Sequence, residues 1–503
     1  MPHRRWIVLS VWGLAYAVAL GVIWGRDVAS RQDQVTATMA ATVVALLACL
    51  VWFVVGSGLR RAVRVKAVLA IITAALVVVA LFEPNMSGDL RPTLQSRLAD
   101  NPEPVDDLED KPSLFDFIST PGDSPEFLGP RRNGSFDTRL DPDWAASPPE
   151  EIWRRDVGAG WSSFAAVGNV AITQEQRGDM EALMAYKVDT GEVVWARNDP
   201  AHYESVVAGE GPRGTPTIWG DTVWAVGATG NLRAVELLTG KLRWSVNVIE
   251  DQGGRPHGWG FATSPLVYED LVIVNGGSGA PNLVAYDRLT GEFRWSSDKN
   301  NASYASPQLA RFFRRDYVIQ FNGASISAHD PATGATVWET PWEAGQPNVA
   351  QPLQLGNLLV ASSGYGRGAK LFGVRRGGGE LRVETLWESP RLKAKFANFV
   401  QHEGYVYGLD DGVLTCIDPA NGERVWKGGR YGHGQLLVSN GYLIVQAEDG
   451  SVVLVEATPE AHRELHRVPV FNRKTWNPPM LVGDVLLLRN DREAVALRLA
   501  LDD

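Results

Sequence analysis

The sequence predicts an all-β, eight-bladed β-propeller of four-stranded antiparallel blades, preceded by three transmembrane α-helices. Three observations lead to this prediction. Three long apolar stretches occupy the first 82 residues, a Thr-Gly turn followed by Trp recurs at regular spacing, and the 503 residues include 51 Gly and 18 Trp. Abundant glycine indicates many tight turns, and abundant tryptophan indicates one large anchor that is used repeatedly.

The predicted membrane anchor covers residues 1–82. The apolar stretches 6–24 and 35–59 are long enough to cross a bilayer, and 63–82 is just long enough at about 1.5 Å per residue. A cleaved signal peptide is the alternative for the first stretch. No clear small-residue cleavage site follows it, and two more apolar stretches come next, so three retained helices are favoured.

Basic residues predict the orientation of this anchor. Two flanking segments carry basic residues without acidic ones, namely Arg4 and Arg5, then Arg60, Arg61, Arg64 and Lys66. The loop after the first stretch balances Arg26 and Arg31 against Asp27 and Asp33. The positive-inside rule then places the N-terminus in the cytoplasm and the propeller outside it. For a bacterial inner-membrane protein of a Gram-negative cell, this location is the periplasm.

Residues 83–126 are predicted to form an acidic, proline-rich extracytoplasmic linker. The run Asn101-Pro-Glu-Pro-Val-Asp-Asp-Leu-Glu-Asp is typical of this segment. Such a composition cannot bury enough apolar surface to fold alone. The propeller is expected to occupy residues 127–503.

The repeat motif consists of an apolar strand, Asp or a substitute, Thr-Gly, three residues and Trp. Its copies begin at Ala185, Ala234, Ala285 and Ala328, a fifth with Asn-Gly begins at Cys416, and degenerate copies lie near Trp387 and Val453. Glycine supplies the positive φ of a tight hairpin, and the Trp on the outgoing strand can fill the gap between sheets. The Trp residues at 153, 195, 244, 295, 338, 387 and 426 are 39 to 51 residues apart, which is the length of a propeller blade.

The two ends of the repeat region predict the number of blades. Trp153 belongs to an outer strand with no blade before it, and the C-terminal strands near Val485 and Ala496 lack an outer strand. Joining these ends closes the ring and removes its exposed sheet edges. Seven Trp positions and the Trp-less strand near Val468 make eight blades.

The repeat motif resembles the tryptophan-docking repeats of the pyrroloquinoline-quinone (PQQ)-like propellers, which include quinoprotein alcohol dehydrogenases and BamB-like proteins. The resemblance covers about residues 127–502, and Phe127-Leu-Gly-Pro-Arg-Arg-Asn-Gly is similar to the opening of many bacterial members. It implies the fold directly. It does not by itself imply an activity, because related folds carry unrelated functions.

The resemblance also indicates where a cofactor would lie. Catalytic members hold PQQ and a calcium ion over the central funnel with Glu, Asn and Asp ligands, use another Asp as base, and often carry a vicinal disulfide. Here Cys49 and Cys416 are not adjacent. The segments that lead into the innermost strands offer Trp161, Ser162, Arg213, His257, Trp259, Tyr304, Asn348, Gln351, Lys395, Asn398, His433, Trp476 and Asn477.

None of these thirteen candidates is a carboxylate, although Glu204, Glu210 and Asp251 lie nearby in longer loops. Calcium requires hard anionic oxygens, so this mouth is poorly suited to it and no cofactor or metal is expected. The cationic residues can instead bind an anionic ligand or an acidic segment of a partner. Alternatively, the candidates only join neighbouring blades through hydrogen bonds.

Two functions follow as expectations. The first is a non-catalytic extracytoplasmic scaffold or binding module for protein partners, similar to BamB-type proteins. The alternative is a PQQ- and calcium-dependent dehydrogenase that oxidises an alcohol or sugar and passes electrons to membrane quinone, since membrane-bound glucose dehydrogenases have a similar layout. A sensor that binds a small molecule is a third possibility.

The net charge of −10 argues against a nucleic-acid partner.

Overall fold

The computed structural model describes residues 2–25, 31–96, 105, 107, 120–205, 207–299 and 302–502. The chain forms two compact units, Met1–Asp100 and Asn101–Asp503. Residues 97–104, 106 and 108–119 of the predicted linker lie outside the described residues. The part that is described at 82–96 forms a two-stranded hairpin.

The described part of the first unit contains three long helices and this hairpin. The elements are α1 (Pro2–Trp24), α2 (Arg31–Val51) with a following π-helical turn (Trp52–Gly56), α3 (Arg61–Leu81), and the antiparallel strands β1 (Phe82–Met86) and β2 (Pro92–Ser96). The helical segments Arg31–Gly56 and Arg61–Leu81 have mean hydropathies of 2.5 and 2.3 and are long and apolar enough to span a membrane.

Among the described residues, two helices are long and apolar enough to span a membrane, and not the three that were predicted. In α1, the apolar part whose side chains the structure describes is Ser10–Trp24.

The second unit is a ring of eight four-stranded antiparallel blades among its described residues. Two short elements, β3 (Ser135–Phe136) and β4 (Glu150–Asp156), come before the first blade. Blade 1 contains β5 (Ala165–Val167), β6 (Val170–Arg177), β7 (Met180–Lys187) and β8 (Val193–Pro200), and the small hairpin of β9 (Glu204–Ser205) and β10 (Gly209–Glu210) follows it. Blade 2 contains β11 (Thr217–Trp219), β12 (Thr222–Val226), β13 (Asn231–Glu236) and β14 (Leu242–Asn247), and α4 (Val248–Gln252) follows it.

Blades 3 to 6 follow in chain order. Blade 3 contains β15 (Leu266–Tyr268), β16 (Leu271–Val274), β17 (Val284–Asp287) and β18 (Phe293–Ser296); blade 4 contains β19 (Gln308–Phe312), β20 (Arg315–Phe321), β21 (Ser325–His329) and β22 (Thr336–Pro341). Blade 5 contains β23 (Leu353–Leu355), β24 (Leu358–Ser363), β25 (Gly368–Gly377) and β26 (Glu380–Ser389); blade 6 contains β27 (Phe399–His402), β28 (Tyr405–Asp410), β29 (Val413–Asp418) and β30 (Glu423–Arg430).

The last two blades use strands from both ends of the propeller. Blade 7 contains β31 (Gln435–Ser439), β32 (Tyr442–Gln446), β33 (Ser451–Glu456) and β34 (Glu464–Pro469), and β3 adds to its inner edge in parallel. Blade 8 contains β35 (Met480–Val482), β36 (Val485–Arg489) and β37 (Glu493–Arg498), and β4 is its outer strand, with Trp153 opposite Ala496. The predicted eight blades and their closure by the two chain ends are therefore confirmed.

The core lies between neighbouring blades, as the repeat motif predicts. One apolar cluster joins Ile172 and Trp195 of blade 1 to Val223 and Val235 of blade 2, and similar clusters follow around the ring. Repeat Trp side chains donate Nε1–H to turn carbonyls of the following blade: Trp153 to Val188, Trp195 to Leu237, Trp244 to Arg288, Trp387 to Pro419 and Trp426 to Thr458, at 2.7–3.0 Å.

Residues 124–138, which we call the lead-in segment, run along the inner edges of the blades. Ser124 forms a β-bridge with Ala166 of blade 1, and the Pro125 carbonyl accepts from Ile218 of blade 2 at 2.7 Å. At its far end, β3 pairs with β31 of blade 7, and Thr138 Oγ1 donates to the Gly483 carbonyl of blade 8 at 3.0 Å. Because these partners lie on or beside the innermost strands of blades 7, 8, 1 and 2, the segment runs along the wall of the central channel.

Candidate functional site

The mouth of the propeller is the face on which the chain leads into each innermost strand. All thirteen predicted candidates lie in these leading segments or at their ends, since each segment precedes β5, β11, β15, β19, β23, β27, β31 or β35. Every blade therefore contributes at least one candidate. The structure divides most of them into two groups, one engaged in hydrogen bonds between blades and one of aromatic and cationic side chains that contact each other at the mouth.

The amide candidates form hydrogen bonds from blade to blade. Asn398 Oδ1 accepts from the backbone N–H of Gln351 at 2.8 Å, and the Gln351 amide pairs with the backbone of Ser306 at 2.7 and 2.8 Å. Asn477 Nδ2 donates to the carbonyls of Gly160 and Ser162 at 3.1 and 2.8 Å, which joins blade 8 to blade 1. These side chains are buried and connect neighbouring blades.

Asn348 has a similar position beneath the mouth. Its Nδ2 donates to the Asn322 carbonyl at 2.7 Å, and its backbone N–H donates to Ser303 Oγ at 3.0 Å. The Ser162 hydroxyl is buried and donates to the Ser163 carbonyl at 2.9 Å. Both residues therefore stabilise the loops of the mouth through hydrogen bonds.

Sequence reasoning missed a belt of hydroxyl side chains that continues this pattern. Ser163 N–H donates to Thr215 Oγ1 at 3.1 Å, Thr215 N–H to Ser264 Oγ at 2.9 Å, and Ser264 N–H to Ser306 Oγ at 2.8 Å. Each of these residues stands two positions before an innermost strand. Aligning the repeats on those strands, and not on the Trp residues, would have revealed the pattern.

The second group forms an aromatic collar, which we define as Trp161, Tyr203, Trp259, Tyr304, Tyr365, Phe396 and Trp476. Trp476 lies 4.9 Å from both Trp161 and Phe396 between ring centroids. On the opposite side, Trp259 lies 5.2 Å from Tyr304 and 6.5 Å from Tyr365. Six of the seven are half-buried and Trp161 is buried, so part of the collar faces solvent.

Three cations connect the parts of this collar. Lys474 Nζ lies 4.0 Å from the Trp476 ring centroid and 5.1 Å from that of Trp161. Lys395 Nζ lies 4.8 Å from the Tyr365 ring centroid and 5.9 Å from that of Phe396. These distances are typical of cation–π contacts.

Arg213 is the third cation, and its guanidinium lies 4.6 Å from the Tyr203 ring. It donates to the main-chain carbonyls of Gly211, Ala208 and Gly209, and the Ala208 carbonyl also accepts from Trp161 Nε1. Burial lowers the pKa of Arg213 to about 10, against the opposing effect of Tyr203, Glu181 and Tyr304. The side chain therefore remains a cation at neutral pH, held mainly by backbone oxygens.

Burial also lowers the pKa of two other groups at the mouth. The pKa of Lys474 falls to about 8, although Asp491 and Glu448 oppose this change. The pKa of His257 falls to about 4 because its ring is desolvated between Phe261 and Tyr304. His257 is therefore neutral at physiological pH, whereas the charge of Lys474 is sensitive to small changes above neutrality.

Lys474, Tyr203, Tyr365 and Phe396 were not among the predicted candidates. Lys474 and Phe396 lie in leading segments beside predicted residues, so extending each segment by one or two positions would have found them. Tyr365 lies in the turn between β24 and β25, and Tyr203 lies next to the β9–β10 hairpin. Only tertiary folding brings these two side chains to the mouth.

The carboxylates near the mouth have other partners. Glu448 accepts from Trp476 Nε1 at 2.9 Å and from the backbone N–H of His433 at 3.1 Å. Asp251 accepts from Tyr286 at 2.8 Å, and Glu210 lies 3.9 Å from His202. Glu204 is exposed on β9.

These donors do not fit a calcium ion or the calcium-bound quinone of the catalytic propellers. The described residues include no group of three or more His, Cys, Asp or Glu side chains that could hold a metal. The collar offers aromatic faces and cations where calcium requires several anionic oxygens. Its chemistry suits an anion or an aromatic-rich protein surface.

Comparison with known proteins agrees with the fold. The family model described as outer membrane protein assembly factor BamB matches residues 143–261 and 255–428. The BamB protein of Burkholderia pseudomallei (strain K96243) is 26% identical over 304 residues, which cover 55% of this chain and 68% of the relative. The BamB protein of Bordetella pertussis (strain Tohama I) is 24% identical over 265 residues, which cover 44% of this chain and 66% of the relative.

Solved structures show the same architecture. The crystal structure of BamB from Moraxella catarrhalis matches with a TM-score of 0.51 at 19% identity, covering 71% of this chain and 99% of that one. Quinohemoprotein alcohol dehydrogenase from Comamonas testosteroni matches with a TM-score of 0.54 at 15% identity, covering 77% of this chain and 82% of that one. At these identities, the structural matches bear on the fold and not on the activity.

Proposed function

The chain belongs to the family of the outer membrane protein assembly factor BamB, and from this premise we propose that it is a non-catalytic scaffold that binds protein partners at the mouth of its propeller. Its two spanning-length helices would hold the propeller at a membrane. The arginines at the N-terminus and after residue 59 have no acidic residues beside them. This charge pattern favours a bacterial inner membrane with the propeller in the periplasm.

The chemistry of the mouth is the observation that carries this proposal. Its amide side chains join the blades, and its aromatic rings contact three cations, of which Arg213 and Lys474 are half-buried and Lys395 is buried. Tyr, Trp and Arg are the residue types enriched at the energetic centres of protein interfaces. This surface is therefore better suited to binding a protein than to holding a metal and a quinone.

The small β9–β10 hairpin gives the mouth a raised rim on one side. Trp161 Nε1 donates to the Ala208 carbonyl at 2.5 Å, and Tyr203 donates to the Gly258 carbonyl at 2.9 Å, so the hairpin is fixed to neighbouring loops. Val207 in the hairpin is 37% exposed. A partner seated on the collar would meet this side chain.

Site-specific photocrosslinking tests the proposal. A benzoylphenylalanine at Val207 of the full-length membrane protein should crosslink in cells to one discrete partner. The same group at Phe293, which is 51% exposed on the outer strand of blade 3, serves as the matched control and should not capture that partner. Equal labelling from both sites would contradict a docking role for the mouth.

The dehydrogenase alternative predicts a different result from the same preparation. Purified protein would then bind PQQ in a calcium-dependent titration and would reduce an artificial dye when an alcohol or sugar is added. Saturable PQQ binding with dye reduction would overturn the scaffold proposal. We expect no saturable binding, because the collar lacks the anionic oxygens that a calcium ion requires.

A further inference from the structure

We infer that the aromatic collar recognises a carboxylate-rich segment of the protein partner, with the half-buried Lys474 as the direct anion contact and Arg213 and Lys395 as further positive charge. This inference rests on the proposed scaffold function and specifies the chemistry of the partner. It depends on the arrangement of the three cations, on the sign of their charge relative to the whole chain, and on the aromatic surfaces beside them.

The three cations come from different parts of the ring. Arg213 leads into blade 2, Lys395 into blade 6 and Lys474 into blade 8, so positive charge is distributed around the mouth. Each contacts a collar ring: Arg213 contacts Tyr203, Lys395 contacts Tyr365, and Lys474 contacts Trp476. An extended acidic segment that lies across the mouth would be attracted by more than one of them.

The mouth carries positive side chains on a chain of net charge −10. The acids closest to Lys474 have defined partners: Glu448 accepts from Trp476 and His433, and Asp491 lies 3.4 Å from Arg473. The rest of this acidic molecule would repel an acidic segment, whereas the collar would attract it. Such a charge difference favours one orientation of docking and speeds the encounter.

The aromatic rings strengthen this preference. A cation on an aromatic face loses part of its hydration, so an approaching carboxylate can form a charge-assisted hydrogen bond at a lower desolvation cost. The half-buried faces of Trp259, Tyr304 and Trp476 can cover apolar side chains between the acidic ones. The expected ligand is therefore an acidic peptide segment that also contains an aromatic or aliphatic residue.

Binding of this segment should depend on pH through Lys474. Burial lowers its pKa to about 8, Asp491 and Glu448 act to raise it, and Arg473 and Arg213 act to lower it. A bound carboxylate favours the protonated amine and raises this pKa. Affinity should therefore be highest below pH 8 and should fall as the pH rises from 7 to 9, while the carboxylates stay ionised.

The test uses the full-length protein in nanodiscs and two synthetic peptides. The first, acetyl-Glu₄-Phe-Glu₄-amide, is the probe, and the second has Gln in place of every Glu. We expect saturable binding of the Glu peptide only, measured as a change in tryptophan fluorescence at low salt. Lys474→Gln and Lys395→Gln should each weaken binding roughly fivefold, which corresponds to about 1 kcal/mol.

Lys187→Gln is the matched control, because Lys187 is a cation of blade 1 that pairs with Glu192 at 2.5 Å and lies outside the collar. This variant should bind the Glu peptide normally. Lys474→Gln should also lose the decline in affinity between pH 7 and 9. Equal binding of the two peptides, or equal weakening by Lys187→Gln, would overturn the inference.

Citrate distinguishes a peptide from a small carboxylate. If citrate binds the collar as tightly as the Glu peptide and displaces it, the collar is a site for free carboxylates and the peptide inference fails. Failure of this inference is separable from failure of the scaffold proposal. Crosslinking from Val207 without binding of the Glu peptide would contradict only the acidic-segment inference, whereas calcium-dependent PQQ chemistry would contradict the scaffold.

Discussion

The indole of Trp195 in blade 1 lies directly against the backbone of Gly240 in blade 2. A Cβ atom on Gly240 would lie 2.6 Å from the indole ring, and Gly240 adopts a φ of +70°. Trp195 Nε1 also donates to the nearby Leu237 carbonyl at 2.8 Å. The glycine of the Thr-Gly turn therefore serves two purposes, since it permits the turn and leaves space for the Trp of the preceding blade.

Gly240→Ala should destabilise the propeller by about 3–4 kcal/mol. The methyl group would both strain the left-handed backbone and collide with the buried indole. Gly220→Ala in the same blade is the control, because Gly220 has a φ of +59° but no heavy atom within 4 Å of the added Cβ. It should cost about 1–2 kcal/mol. Urea unfolding followed by near-ultraviolet circular dichroism measures both, and equal losses would contradict the docking explanation.

The repeat motif made much of this fold predictable. The spacing of the motif predicted the blades, because the same turn chemistry repeats in each blade. The unmatched strands at Trp153 and Val485 predicted how the ring closes. The collar was only partly predictable. Tyr365 reaches the mouth from a turn inside blade 5, and no local pattern distinguishes it from a turn residue at the surface.

Arg489→Met should destabilise the closure between blades 8 and 1. Arg489 is fully buried and donates to Thr173 Oγ1 at 2.7 Å and to the carbonyls of Gln174 and Gly158 at 2.9 Å. Removing the guanidinium leaves these buried acceptors without their donor, which should cost about 3 kcal/mol.

Arg498→Met is the control for this change. Arg498 lies on the same blade, its side chain is 48% exposed, and its nearest carboxylates are 3.5 and 3.8 Å away. An exposed pair of this kind contributes about 1 kcal/mol or less. Thermal unfolding midpoints compare the two variants. If both variants change the thermal unfolding midpoint equally, Arg489 does not stabilise the closure between blades 8 and 1.

Arg132→Ala should loosen the lead-in segment from the central channel. Arg132 donates to Glu126 Oε2 and to the carbonyls of Pro265 and Pro307 at 3.0 Å, and to that of Ser264 at 3.3 Å. These carbonyls belong to blades 3 and 4. The variant should lose about 3 kcal/mol of stability, because several buried acceptors and the Glu126 carboxylate lose their donor.

The neighbouring residue supplies the matched control. Arg131 pairs with Asp137 at 2.7 Å, and both side chains are exposed, so Arg131→Ala should cost about 0.5 kcal/mol. Limited proteolysis should cut residues 124–138 faster in Arg132→Ala than in Arg131→Ala, because local opening exposes the segment. Unchanged proteolysis in both variants would show that the channel retains the segment without Arg132.

Protonation of His257 should destabilise the propeller in acid. Burial lowers the pKa of His257 to about 4, compared with an ordinary value of about 6.5, so the folded state favours the neutral ring while the unfolded chain takes up a proton near pH 6.5. The resulting stabilisation is complete above pH 6.5 and is lost as the pH falls through 4. It amounts to about 3 kcal/mol at most.

His257→Phe should therefore reduce the loss of stability between pH 7 and pH 4, because its ring cannot be protonated. His202→Gln is the control, since His202 has a side chain that is 40% exposed near the same mouth, and it should retain the wild-type dependence. Urea midpoints measured at intervals of half a pH unit provide the comparison. A wild-type slope that persists in His257→Phe would assign the acid sensitivity to the carboxylates of the ring, because their protonation breaks ion pairs over the same range.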